Sequence, residues 1–172
     1  MNLYHASVPV YVKMLENLAQ ILIKGQAWAK EQGKSDDGLL GSKLASDMFP
    51  LLRQVQIASD NAKGISARLT GQEPPKMEDT ETTFDQAIER VQKTVTYLKT
   101  LDQSMFEGAE ERQIPFPYVP DTYLTAHEAL FESYLPNFFF HMTTAYDILR
   151  NQGVPLGKAD FIGNLPLKPI QK

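Results

Sequence analysis

The chain has 172 residues, room for one domain with a single buried core. Hydrophobic residues make up 42% and charged residues 22%, which excludes a disordered chain, and a net charge of −4 without any basic run excludes the electrostatic footprint of a nucleic-acid binder. The absence of cysteine excludes disulfides, thiol nucleophiles and thiolate metal sites together.

A cysteine-free chain suits the cytoplasm. The amino-terminal MNLYHASVPVYVKMLENL carries Lys13 and Glu16 inside its apolar stretch, so it does not read as a secretory signal. The longest apolar patch, Leu135 to Met142, is too short to cross a membrane. The expectation is a soluble, cytoplasmic protein with one domain over residues 1–172.

The first long helix is predicted from Ser7 to Gln32, with Val8, Tyr11, Leu15, Leu18 and Leu22 on one stripe. Ser7 offers a cap, with Pro9 in the first turn; were helix to precede Ser7, Pro9 would mark a kink. Gly33 supplies a stop, and a short helical turn follows near Asp37 to Leu40. The second helix starts near Asp47 or Pro50 and carries the most regular stripe, Leu51, Val55, Ala58, Ala62, Ile65 and Leu69, before a Gly71 stop. Gly64 inside it points to close helix approach.

Residues 72–81 read as a connection. The third helix opens with a capping box, Thr83 with Gln86, and buries Phe84, Ile88, Val91, Val95 and Leu98. Asp102 to Pro120 is a long connection whose centre, Gln113 to Val119, is predicted as an extended segment over the bundle. The fourth helix begins at Thr125, paired with Glu128 in a second capping box, and ends before Gly153. Its predicted stripe is Phe131, Leu135, Phe138, Met142, Ala145 and Leu149, interrupted by Pro136. The Pro- and Gly-rich tail, residues 154–172, is predicted as an extended docking segment with Phe161, Ile162 and Leu165 as its contacts. Four amphipathic stripes and weak strand signals give an all-α protein, a four-helix bundle.

The chemistry-bearing residues are few. His127 and His141 lie fourteen residues apart on one helix, roughly 21 Å, too far to share a metal. Ala145 stands where a His-x-x-x-His pair would need its second member. A metal centre would require His5 to join His141 from another helix, with a carboxylate as third ligand. His141 borders the buried stripe, which makes it either a hydrogen-bonded core-edge residue or a pocket residue able to move a proton near neutrality. Gln54 borders the second helix's stripe in the same way, and Asp60 can pair with Lys63 at i, i+3. Tyr146 carries a hydroxyl that needs a partner if buried. No phosphate loop, nucleophile elbow, dinucleotide fingerprint or basic amphipathic membrane helix is present.

Three strings are more specific than any stripe: LGSKLASDMFPLLRQVQIASDNAKG (40–64), ETTFDQAIERVQKTVTYL (81–98) and LPNFFFHMTTAYDILRNQGVPLGKADFIG (135–163). Through DMFPL, PNFFFH, TTAY and GVPLGKADF, nearly the whole chain resembles an uncharacterised bacterial family, the domain-of-unknown-function family numbered nineteen ninety-three. That family is similar to the DinB/YfiT-like four-helix bundles, which often form dimers. The resemblance implies an up-down-down-up arrangement. Many DinB-like relatives hold a divalent metal with three histidines, one on the second helix and a His-x-x-x-His pair on the last, and some act on thiols. Carried over, His141 matches one member of the last pair, Ala145 cannot be its partner, and the region of Gln54 and Gln56 has no histidine.

The resulting expectation is a homodimer without a full three-histidine metal site. It binds a small molecule near His141, with Gln54, Asp60 and Tyr146 as further contacts; neither nucleic acid nor membrane is a partner. A metal-dependent enzyme acting on a thiol or other small substrate is the first alternative. A structural or interaction protein is the second. The sequence names no catalytic residue and no cofactor.

Overall fold

The computed structural model describes residues 2–116 and 119–170. Its long helices are α1 (Leu3–Glu31), α3 (Leu51–Leu69), α4 (Phe84–Leu98) and α6 (Leu135–Asn151). A short α2 (Asp36–Leu40) precedes α3, a three-residue α5 (Ala126–Glu128) and a π-helical turn (Ala129–Tyr134) lead into α6, and α7 (Lys158–Ile162) follows it. The predicted stripes of α1, α3 and α4 are buried throughout.

Contacts between the helices fix their directions. Phe84, which opens α4, and Leu149, near the end of α6, both lie against Gly25 in the last third of α1. At the other end of α4, Lys99 pairs with Glu16 at 2.7 Å, and Tyr11 of α1 meets Phe138 in the first turn of α6. Thus α4 runs against α1, and α6 runs with it. The connection from α3 to α4 returns along both: Met77 touches Thr94, Asp79 pairs with Arg53, and Glu81 accepts from Gln56. Consequently α3 and α4 start at the same end and are parallel, and the arrangement is up-down-down-up. The main packing pairs are α3 with α6, α1 with α4, and α3 with α4.

Local chemistry explains most boundaries. Asn2 caps α1 by accepting from the Tyr4 amide, so the helix begins before Ser7, and Pro9 lies inside it. Ser7 is therefore no cap; its hydroxyl donates to the Leu3 carbonyl at 2.6 Å. Proline removes the donor that the His5 carbonyl would use, but His5 is exposed and water can serve it. Gly33 and Gly71 hold positive φ just past α1 and α3, the left-handed stop anticipated for each. Both capping boxes, Thr83 with Gln86 and Thr125 with Glu128, are formed.

The all-α reading holds and the predicted extended segment is partly realised, while the stripe of the last helix and the role of Gly64 need correction. The all-α chain carries one small hairpin, β1 (Gln113–Pro115) antiparallel to β2 (Tyr123–Thr125), with Ile114 buried against the bundle. Residues 117 and 118 of the predicted extended segment lie outside the described residues. On the last helix, Ala126, Ala129 and Leu130 are buried while Phe131 and Leu135 are only half-buried. The π-helical turn is the cause: the Leu135 N–H reaches back five residues to the Leu130 carbonyl, and the extra residue shifts the stripe before Pro136. Gly64 meets no neighbouring helix among the described residues. The space a Cβ would fill is taken by the guanidinium of Arg68, one turn further along α3.

The tail is helical over α7, where Asp160 accepts from the Gly157 amide and pairs with Lys24. Asn17 of α1 donates to the Phe161 carbonyl, so this part docks on α1. Leu165 does not: with Leu167 and Ile170 it is exposed. No helix among the described residues is long and apolar enough to cross a membrane.

Candidate functional site

Beside its core stripe, α3 carries a second one, Arg53, Ile57, Asp60, Asn61 and Arg68, at spacings that keep these residues on one face. Across the end of the π-helical turn and α6, Tyr134, Asn137 and His141 recur at three and four. With Phe49 at the end, the two stripes line an open groove of about 490 Å³ between α3 and α6.

A short chain of hydrogen bonds fixes His141 at the edge of this groove. Gln54, 1% exposed, donates from Nε2 to the Phe49 carbonyl at 2.9 Å. Its Oε1 therefore faces His141 Nδ1, 2.6 Å away. A carboxamide oxygen only accepts, so Nδ1 carries the proton and Nε2 of the neutral ring keeps its lone pair. Burial, with a contribution from the Arg53 charge, pushes the His141 pKa below the ordinary range and keeps the ring neutral.

This shift has a testable sign. The unfolded chain takes up a proton near the usual value of about 6.5, before the folded one does. Stability should therefore rise with pH between the lowered folded pKa and about 6.5, and fall on acidification through that window. Urea denaturation at stepped pH should show this slope in the parent chain and a flatter one in His141→Gln. An unchanged slope in the variant would refute the assignment.

Behind the groove lies a charged cluster centred on Arg90 of α4, 2% exposed. One arm reaches Asp60 and Asp79 at 2.8 and 2.9 Å; the other reaches Glu81 at 2.9 Å and donates to the Glu78 carbonyl. Lys63 also holds Asp60, and Arg53 pairs with Asp79. Burial alone would raise the Glu81 carboxyl, but hydrogen bonds from Arg90 and Gln56 hold it below the usual range. Burial likewise works against charge on Arg90, and the Glu81 hydrogen bond with the Asp60, Glu81 and Asp79 charges reverses that. The cluster ties α3, α4 and their connection together behind the groove wall.

Residues 3–162 match the family described as Domain of unknown function (DUF1993). The chain belongs to that family. The DUF1993 chain is also similar to the crystal structure of a DinB family member protein from Shewanella denitrificans, with 44% sequence identity, a TM-score of 0.93, and coverage of 98% of this chain and 96% of that one. No curated protein matches it.

Within this DUF1993 bundle three of the four expected contacts come together: His141 and Asp60 line the groove, and Gln54 holds His141 from behind. Asp60 serves mainly the Arg90 cluster. Tyr146 stands apart, its ring packed edge-on against Phe161 of α7, 5.8 Å between centroids. Sequence reasoning missed Arg90, Arg53, Asn61, Arg68 and Asn137. Arg90 had a legible signal, since Ala87, Arg90 and Thr94 form a second buried stripe on α4.

The three-histidine metal centre of DinB-like relatives does not fit these residues. His141 Nδ1 is engaged by Gln54, Asp60 is held by Lys63 and Arg90, and the remaining groove side chains include two arginines, which disfavour a divalent cation. His5 is exposed on α1 against Tyr4 and is not part of the groove. Among the described residues no group of three His, Cys, Asp or Glu side chains is placed to hold a metal ion.

Proposed function

We propose that this DUF1993 bundle binds a small molecule in the α3–α6 groove, with His141 Nε2 accepting a hydrogen bond from it, and that it does so as a cytoplasmic homodimer. The Phe49–Gln54–His141 chain supports this reading above all. It locks a buried, neutral imidazole in one tautomer at the edge of an open groove, and Nε2 has no hydrogen-bond partner among the described residues. A histidine serving only the core would more often have both ring nitrogens satisfied or packed away. The groove sits between helices of a bundle, where such folds place ligand sites. The homodimer rests on Phe140, 55% exposed beside His141 on α6, an apolar ring that a second copy would cover.

Thermal-shift screening of a small-molecule library tests the ligand reading. Compounds that raise Tm in the parent chain should lose that effect in His141→Ala. An unchanged ligand profile in the variant would remove His141 from the site. Sedimentation at micromolar concentration should give a dimer, and a monomer would remove that part.

A further inference from the structure

Arg68 lines the groove without an ion pair or side-chain hydrogen bond among the described residues. The other charges there are matched: Arg53 by Asp79, and Asp60 by Lys63 and Arg90. Its seat is provided by Gly64, since a Cβ there would stand 2.8 Å from Arg68 Nη1. On the same helix and in the same groove, the side-chain carbonyl of Asn61, a residue 9% exposed, is buried without a hydrogen-bond partner among the described residues. A buried acceptor left unmade costs about 1–3 kcal/mol, so it marks a place where a donor belongs.

Resting on the ligand-binding reading above, we propose that the groove selects small molecules carrying a carboxylate or phosphate, received by Arg68, and a hydroxyl that donates to Asn61. A guanidinium offers two parallel N–H donors that match two oxygens of either anion. Asn61 Oδ1 and His141 Nε2 each call for an O–H or N–H on the ligand, and a cationic amine is disfavoured beside Arg68 and Arg53. Phe49 and Ile57 give the apolar body of such a molecule a surface to lie on.

Three probes test this by NMR titration of the full chain: 4-hydroxybenzoate, 4-hydroxyphenyl phosphate and the uncharged 4-hydroxybenzamide. At least one oxyanion should shift groove resonances, including the Asn61 amide, and bind about tenfold or more tightly than the amide, as expected for a charge-assisted hydrogen bond. The better anion distinguishes carboxylate from phosphate. Arg68→Gln should abolish the preference. Equal binding of the amide, or retention of the preference in Arg68→Gln, would overturn the anion proposal and leave the ligand reading standing. Groove shifts from none of the three would overturn both.

Discussion

Replacing Arg90 with leucine should destabilise the folded chain by about 3–5 kcal/mol, because removing one partner of a buried ion pair leaves the other charge uncompensated. Three carboxylates depend on this guanidinium, but not equally. Asp60 and Asp79 have side-chain exposures of 36% and 40% and can be rehydrated, whereas Glu81 is 11% exposed and cannot. Glu81 therefore carries most of the loss, and the effect should fall toward the lower end of the range. The urea midpoint at neutral pH measures it. Adding Glu81→Gln to the leucine variant should recover a substantial part, since the stranded charge is then gone. A change below about 1 kcal/mol in the single variant, or no recovery in the double, would mean that the cluster is held by something other than Arg90.

Phe138→Ala should be comparably damaging, at about 3–5 kcal/mol. The ring is fully buried and packs edge-to-face against Tyr11 at 4.8 Å and against Phe139 at 5.4 Å. Such pairs add about 0.5–1.5 kcal/mol beyond burial. Truncation opens a void between α1 and α6 beside the Tyr11 ring, whose hydroxyl is buried without a partner among the described residues. A calorimetric Tm lower by roughly 6–20 °C is expected for a chain of this size. Phe138→Leu should recover most of that, and a Tm unmoved by the alanine change would mean that α1 and α6 close the gap by shifting together.

Which features could be read beforehand follows from the range over which each is determined. The stripes of α1, α3 and α4 depend on spacing within one helix, and every position assigned to them is buried. The caps at Thr83 and Thr125 depend on three residues each, and both are formed. Helix directions depend on contacts far apart in sequence, such as Gly25 with Leu149, and spacing is silent about those; the up-down-down-up order was legible only through the family resemblance. The start of α1 was obscured by Pro9, which reads as a first-turn residue unless the exposure of the His5 carbonyl is known. On the last helix the register failed where the helix itself departs from the α period. At the site, His141 and Gln54 were visible as polar residues bordering apolar stripes, but their mutual bond spans 87 residues. Arg68 and Asn61 read as surface polar residues until α6 is laid beside them, and Tyr146 could not be seen to face α7 rather than the groove.

The wide turn at Ala129–Tyr134 acts as a phase adjuster. Each residue of an α-helix advances the side chains by about 100°, so one extra residue lets Ala129 and Phe138 both point inward where a uniform helix would set them on opposite faces. His141 sits downstream of that adjustment and inherits its bearing from it. Deleting a single residue there would leave a helix of nearly the same length but aim the imidazole away from α3, out of reach of Gln54. The aim of the groove's histidine is thus set by an irregularity two turns upstream, just before a proline.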